Sequence, residues 1–290
     1  MIEQFPFFIA LIGSVVAAAY DLKTTEIPDN VFHAMIALGA PVILYLAVTS
    51  GNYFPLLLSF AVGGILLGFG FLMYKGGQWG GADAKLLAAL GFLLPQLPPG
   101  FAPNLIFPFP LSLLLNVFLL GTPYMILYSI VISINNREVI NGFLSDFKAN
   151  SKFLLVASST LFIILFLFGY FISANFSFSS RILDITKNSV LSVLVLVGMF
   201  SVYKFARNVE NHAFRRKIPI SKLRVGDVLM KSKEIEGITL EQLKKIKKSR
   251  LKYVWIKDGV RFGPAFPIAL LFTVYYGDTI LALSRLLIGF

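Results

Sequence analysis

The stretch FPLLLSFAVGGILLGFGFLMY, Phe54–Tyr74, decides how the rest of the chain is read. It runs for 21 residues without a charge. Coiled as an α-helix it is about 31 Å long, the thickness of the hydrocarbon core of a bilayer. Working outward, the same kind of stretch recurs at Phe5–Tyr20, Val31–Thr49, Ala84–Leu97, Pro110–Ile134, Phe153–Ile172, Val190–Phe205 and Pro264–Ile288, giving eight candidate spans. The fourth is short and runs into the proline-rich Gln96–Pro110, so it reads equally as a tilted helix, a re-entrant segment or a helix continuing past Pro95. The whole composition agrees: 57% of the 290 residues are hydrophobic, 14% are charged, and the mean hydropathy is +0.77. A soluble globule carries about 25% charged residues.

Met1-Ile2-Glu3-Gln4 lacks the positive start of a cleavable signal, and no small-residue cleavage site follows the first apolar stretch, which is therefore expected to remain as the first span. Lys and Arg in the connections set the orientation. With Glu3 outside, the cytoplasmic connections begin at Asp21, Lys75, Asn135 and Arg207, and they hold nearly all the basic residues. The outer ones hold only Arg181 and Lys187.

Arg207–Phe262 is a separate body with 16 Lys/Arg and six Asp/Glu, a net of +10 out of the chain's +11. Thr239-Leu240-Glu241-Gln242 has the pattern of a capping box opening a helix of about ten residues. Leu251–Ile256 reads as a strand and Asp258-Gly259 as a turn. The expected fold is an all-α polytopic membrane protein of about eight transmembrane helices with a small α+β cytoplasmic insertion. Its parts are 1–206 (seven spans), 207–262 (the basic insertion) and 263–290 (the final helix). Such an insertion suits anionic lipid at the inner leaflet. It does not suit nucleic acid, because it is tethered to the membrane and has few exposed aromatics for base stacking.

The absence of cysteine excludes disulfides and cysteine-ligated zinc or iron–sulfur centres. The two histidines, His33 at a helix end and His212 in a basic stretch, are too few for a histidine metal cluster. No metal or cofactor is expected.

Of 15 acidic residues, three lie at or within apolar stretches: Asp21, Asp83 and Asp278. An ionisable group at membrane depth is costly and marks a functional candidate. Asp21 closes the first span and Asp83 opens the fourth, so both sit at the cytoplasmic boundary. Each alone would pass for a helix-end carboxylate. As a pair at one depth they form an acid–base couple, one protonated and one able to activate water. Gly76, Gly77, Gly80 and Gly81 allow close approach of backbone or substrate. Lys85 lies two residues from Asp83, where it can favour the ionised form or serve as an ordinary interfacial lysine. Ile27-Pro28 reads as geometry, with Asp29 opening the second helix.

These residues carry a resemblance. Tyr20–Asn30, with Asp21 followed by Ile27-Pro28-Asp29, and Gly80–Lys85, a Gly-x-Gly-Asp-like motif, are similar to the type IV prepilin peptidases, membrane aspartyl proteases. The match is nearest to the archaeal preflagellin and prepilin peptidases. Arg261-Phe262-Gly263-Pro264-Ala265-Phe266 resembles the start of the family's final helix. The resemblance implies that Asp21 and Asp83 are the catalytic pair, that no metal is used, and that the substrate is a membrane-inserted precursor with a short basic leader ahead of a hydrophobic helix. Ala82 stands where the motif has its second Gly, a small change that leaves the site open. The zinc-binding cysteine loop of bacterial members is absent, which speaks against their N-methyltransferase activity. Tyr20-Asp21, the Gly80 motif and Pro264-Ala265 also resemble the presenilin and signal peptide peptidase group, although Asp21 in the first span and Ile27-Pro28-Asp29 fit the prepilin enzymes better. A proton- or ion-coupled transporter is the alternative from another class. Asp278 would serve it, but no internal repeat supports it, and Arg285, two helical turns on, offers Asp278 a structural partner. Glu26 and Asp29 are candidates for contact with the basic leader.

Overall fold

A computed structural model describes residues 2–134, 136–175, 182–229, 237–249, 251–257 and 259–288. Arg181 and Asp258 lie outside these described residues. Eleven α-helices and three strands are assigned within them: α1 Phe5–Thr24, α2 Asp29–Ser50, α3 Phe54–Lys75, α4 Gly81–Leu93, α5 Phe109–Ile134, α6 Arg137–Ala149, α7 Ser151–Asn175, α8 Ile182–His212, β1 Arg215–Pro219, β2 Val228–Leu229, α9 Leu240–Lys247, β3 Tyr253–Lys257, α10 Ala265–Tyr276 and α11 Thr279–Ile288. Among the described residues, six helices are long and apolar enough to cross a membrane. The pair α10–α11, bent by 60° at Gly277-Asp278, makes a seventh if it counts as one span. The protein is a multi-pass membrane protein.

Two compact units divide the chain. The first comprises residues 1–127 and 216–290. At its centre is α4, which is only 13 residues long and ends at Leu93, short of the Leu97 expected from sequence. Leu94 leaves the helical conformation and Pro95 follows it. Nine of the 13 residues are buried, on every side of the helix. That explains the absence of any polar face in its sequence. Around it lie α1, α2 and α3. Contact with α3 depends on small residues: a Cβ on Gly70 would fall 2.7 Å from the Ala84 Cα, and one on Gly63 would fall 3.1 Å from the Phe92 Cβ. Close backbone approach of this kind replaces the hydrophobic driving force between helices in lipid. The outward faces of the spans, such as Leu57, Ile65 and Leu72 of α3, are apolar and exposed, as lipid contact requires.

The buried face of α1 is a stripe of small residues, Ala10, Ser14 and Ala17, and Asp21 continues it one turn on. The same stripe that packs α1 inward therefore carries the carboxylate inward. Opposite it, α10 buries Ala265, Phe266, Ala269, Leu270, Thr273 and Val274.

The insertion, in the same unit, forms a three-stranded sheet in the order β1-β3-β2, and α9 shares a core with it. Its small core is Ile218, Leu223, Ile238, Leu243 and Ile256. The capping box forms as read: Thr239 Oγ1 accepts the Gln242 N–H at 3.3 Å, and Gln242 Oε1 accepts the Thr239 N–H at 2.8 Å. The preceding helix, α8, continues to His212, into the stretch read as insertion.

The second unit, residues 128–215, holds the end of α5 with α6, α7 and α8. Here α6 was not anticipated from sequence. Asn136 caps it, its side chain accepting the Glu138 N–H at 3.1 Å. It lies against α8 through Val139, Val209 and Phe214. Asp146 faces Lys204 at 3.6 Å and accepts a hydrogen bond from Asn208 at 3.3 Å.

Candidate active site

Asp21 occupies the last turn of α1 and is 5% exposed; Asp83 occupies the first turn of α4 and is 8% exposed. The two carboxylates come within electrostatic reach of each other, although 61 residues separate them in the chain. Each is held in the same way. Asp21 Oδ2 accepts the Gly263 N–H at 2.6 Å, and Asp83 Oδ2 accepts the Gly80 N–H at 3.0 Å. In both cases Oδ2 is tied to a fixed backbone donor and Oδ1 is left for other partners. Hydrogen bonds from backbone amides to a carboxylate are charge-assisted and orient it sharply.

The Asp83–Gly80 bond is local. A residue at the third helical position reaches back to the amide ahead of the helix, and Gly80 has no side chain to obstruct it. The Asp21–Gly263 bond is long-range. A Cβ on Gly263 would lie 2.9 Å from both the Asp21 Cβ and Oδ2, so glycine is required here for lack of room. Arg261, two residues earlier, acts electrostatically on Asp21. Gly259 follows the sheet and packs on Thr25, where a Cβ would stand 3.2 Å from the Thr25 carbonyl oxygen. Thr25 closes α1 in the left-handed region, φ 60°, the one non-glycine residue with positive φ among those described. The segment leading into α10 thus runs along the end of α1.

Aromatic rings connect the two backbone donors. Trp79 precedes Gly80, and Phe262 precedes Gly263. Their ring centroids are 6.0 Å apart, and both rings contact Phe266. Trp79 also stacks on Phe118 at 5.2 Å. This cluster fixes the spacing of the amides that hold the carboxylates.

The remaining motif residues have distinct places. Ile27 is buried in the main core, Pro28 caps α2, and Val31 N–H donates to the Pro28 carbonyl at 3.0 Å. Gly81 opens α4 and Ala82 is half-buried against the core. Lys85 bonds Asp29 at 2.5 Å across the α2–α4 contact, with both side chains about half exposed, so its partner is Asp29 rather than Asp83. Glu26 and His33 are exposed. No three His, Asp or Glu side chains converge as a metal site among the described residues. Sequence reasoning quoted Gly263 and Arg261 for their resemblance but missed their roles beside Asp21. A backbone amide has no residue signature that could have revealed the first.

Comparison with known proteins bears on the family. Residues 8–135 match the type IV leader peptidase family, bearing out the resemblance read from Tyr20–Asn30 and Gly80–Lys85. A preflagellin peptidase of Methanococcus voltae is 36% identical over 90 residues, which cover 30% of this chain and 37% of that protein. A preflagellin peptidase of Methanocaldococcus jannaschii is 35% identical over 122 residues, 41% of this chain and 49% of its own. The prepilin peptidase EppA of Methanothermobacter thermautotrophicus is 25% identical over 229 residues, 72% of this chain and 59% of its own. The chain thus spans between about a third and three-fifths of these curated relatives.

Proposed function

With residues 8–135 matched to the type IV leader peptidase family, we propose that the protein is a membrane aspartyl endopeptidase. It removes the short basic leader from prepilin- or preflagellin-like precursors at the cytoplasmic face of the membrane. The observation that carries this reading is the buried Asp21–Asp83 pair, each carboxylate held through Oδ2 by a backbone N–H.

The chemistry follows from the pair. Two carboxylates sharing a site hold one proton between them. The ionised one takes a proton from water as the oxygen attacks the scissile carbonyl, and the protonated one hydrogen-bonds the carbonyl oxygen. The tetrahedral intermediate collapses with proton delivery to the leaving nitrogen, giving the free leader and a new N-terminus. The roles belong to the pair and exchange between its members during the cycle. A peptide bond inside a helix is shielded by its own hydrogen bonds, so the precursor unwinds locally at the cytoplasmic end of its helix before cleavage.

The excess of Lys and Arg in the connections supports placing both aspartates, and the insertion 207–262, on the cytoplasmic side. The insertion, net +10, anchors to anionic lipid, each basic residue near the surface contributing about 1 kcal/mol. It repels a basic leader and takes no part in binding one. Glu26, exposed on the α1–α2 connection, supplies charge for the leader.

The decisive experiment is cleavage of a prepilin-like precursor in membranes carrying Asp21→Asn or Asp83→Asn. Each variant is expected to remain in the membrane and to lose processing. Near-normal processing by either one refutes the assignment.

A further inference from the structure

The third buried carboxylate, Asp278, takes no part in the proposed reaction. It sits at the break between α10 and α11 and is 2% exposed. Its Oδ2 accepts the Ile106 N–H, and its own N–H donates to the Asn104 carbonyl at 3.2 Å. Gly277, just before it, lies at φ 85°, where a Cβ would collide with the Asn104 backbone. The break is therefore built in, with the Asn104–Ile106 loop fitted against it.

Asn116 of α5 completes the surroundings. Its Nδ2 donates to Thr273 Oγ1 and to the Gly277 carbonyl, both at 2.8 Å, and its Oδ1 accepts the Thr279 N–H at 3.0 Å. Its side-chain donors are engaged, and neither reaches Asp278. Two oxygens remain: Asp278 Oδ1 and Thr279 Oγ1 are buried and have no hydrogen-bond partner. The neighbouring Thr273 hydroxyl shows the ordinary alternative, donating to the Ala269 carbonyl at 2.6 Å. No Lys or Arg pairs with Asp278 among the described residues, and Arg285, its expected partner, is exposed.

A buried carboxylate oxygen on one residue and a buried hydroxyl on the next, with no Lys or Arg paired to the carboxylate among the described residues, are costly unless a further group satisfies them. The carbonyl end of α10 brings partial negative charge to the break and the amide end of α11 partial positive charge, so the full charge of the carboxylate remains to be met and the group that meets it is positive. Broken helices in membranes bind small cations in this way, through unwound carbonyls and half-helix C-termini. One formal negative charge among neutral oxygens suits a monovalent ion, whereas divalent sites in proteins generally gather more carboxylates. We infer that the α10–α11 break is a binding site for a monovalent metal cation, held by Asp278 Oδ1, Thr279 Oγ1 and carbonyl oxygens at the end of α10. The bound ion locks the bend. This site is independent of the peptidase reading.

The test uses the full-length protein in detergent, unfolded by heat while intrinsic fluorescence is followed. NaCl, KCl and LiCl are each titrated against choline chloride at constant ionic strength. At least one alkali cation is expected to raise Tm saturably over choline. Thr279→Val keeps the shape and removes the unpartnered hydroxyl. It is expected to fold, to be at least as stable as the parent in choline, and to need several-fold more cation for half its Tm shift. Asp278→Asn, if it folds, is expected to lose the shift altogether. The proposal is overturned if the parent protein unfolds at the same temperature in every salt, or if Thr279→Val saturates at the parent's concentration. Precursor cleavage is not part of the readout, so failure here leaves the aspartyl pair untouched.

Discussion

Replacing Gly263 by alanine tests the long-range support of Asp21 with a single methyl group. Gly263 is absent from the positive-φ positions, so alanine meets no backbone strain there. The cost is spatial. The new Cβ would stand 2.9 Å from the Asp21 Cβ and Oδ2, half an ångström inside ordinary contact at 3.4 Å. Either the carboxylate swings off its amide or the start of α10 retreats from α1, and both lengthen a bond that is now 2.6 Å. Losing a hydrogen bond to a charged group costs about 1.5–3 kcal/mol, which corresponds to roughly 10- to 150-fold in rate if the bond orients the reacting group. Displacement of a catalytic group by about 1 Å gives a similar loss, near 100-fold. The assay is the initial rate of precursor cleavage in membranes normalised to enzyme level by immunoblot. Gly68→Ala in α3 serves as the control, because nothing lies within 4 Å of a Cβ there. Gly263→Ala is expected to fall 10- to 100-fold while staying in the membrane, and Gly68→Ala to keep its rate. A Gly263→Ala enzyme within threefold of the parent would refute the idea that this amide positions Asp21.

Three further outcomes follow from the same geometry. The Lys85–Asp29 pair is about half exposed, so Lys85→Ala should change stability by less than about 1 kcal/mol. Cleavage should fall only modestly, and the exchanged pair Lys85→Asp with Asp29→Lys should recover it; a large loss not recovered by exchange would place Lys85 in the chemistry. Activity should survive strong chelators, and a loss reversed by zinc would contradict an aspartyl mechanism. In this cysteine-free chain, Ser50→Cys should react with an impermeant thiol reagent on intact cells. Lys231→Cys, which lies outside the described residues, should react only after the membrane is opened. Labelling of Lys231→Cys from outside would reverse the proposed orientation of the insertion.

The parts of the site that are local in sequence were legible, and the parts that depend on distant backbone were not. Asp83 reaching Gly80 is a three-residue relation set by helix geometry, and its glycine-rich approach could be read directly. Asp21 facing inward follows from its place on the Ala10–Ser14–Ala17 stripe. Gly263 meeting Asp21 joins positions 242 residues apart through an amide that every non-proline residue possesses, so no pattern could announce it. For Lys85 the sequence left two readings, a partner of Asp83 or an interfacial lysine, and the structure pairs it with Asp29. Residues two apart on a helix point to opposite sides, which turns Lys85 away from Asp83 and toward Asp29 on α2. The helix α6 was also within reach: Val139, Ile140, Phe143, Leu144 and Phe147 recur with helical period behind an Asn cap. A 13-residue amphipathic segment is too short and too charged to stand out as a span, so span-length hydropathy passes over it.

Asp278 shows how a span-level reading misplaces a partner. Seven residues is two turns of an unbroken helix, so Asp278 and Arg285 would share a face if Pro264–Ile288 were continuous. Gly277 breaks that span just ahead of Asp278. Its positive φ ends α10, the axis turns by 60°, and Asp278 stands at the start of α11 with its carboxylate held by the Asn104–Ile106 loop. Arg285 remains exposed on α11. A Tyr-Gly-Asp-Thr run inside an apolar segment therefore carries more information as a helix break than as part of a charge pair. Gly supplies the left-handed turn, and Asp and Thr supply the oxygens that the break buries. The same logic applies at the Asp21–Asp83 end, where α1 closes on left-handed Thr25 and α4 opens after Gly80. Each of the three buried carboxylates of the described residues stands at a helix terminus, where neighbouring segments offer the backbone amides that hold it.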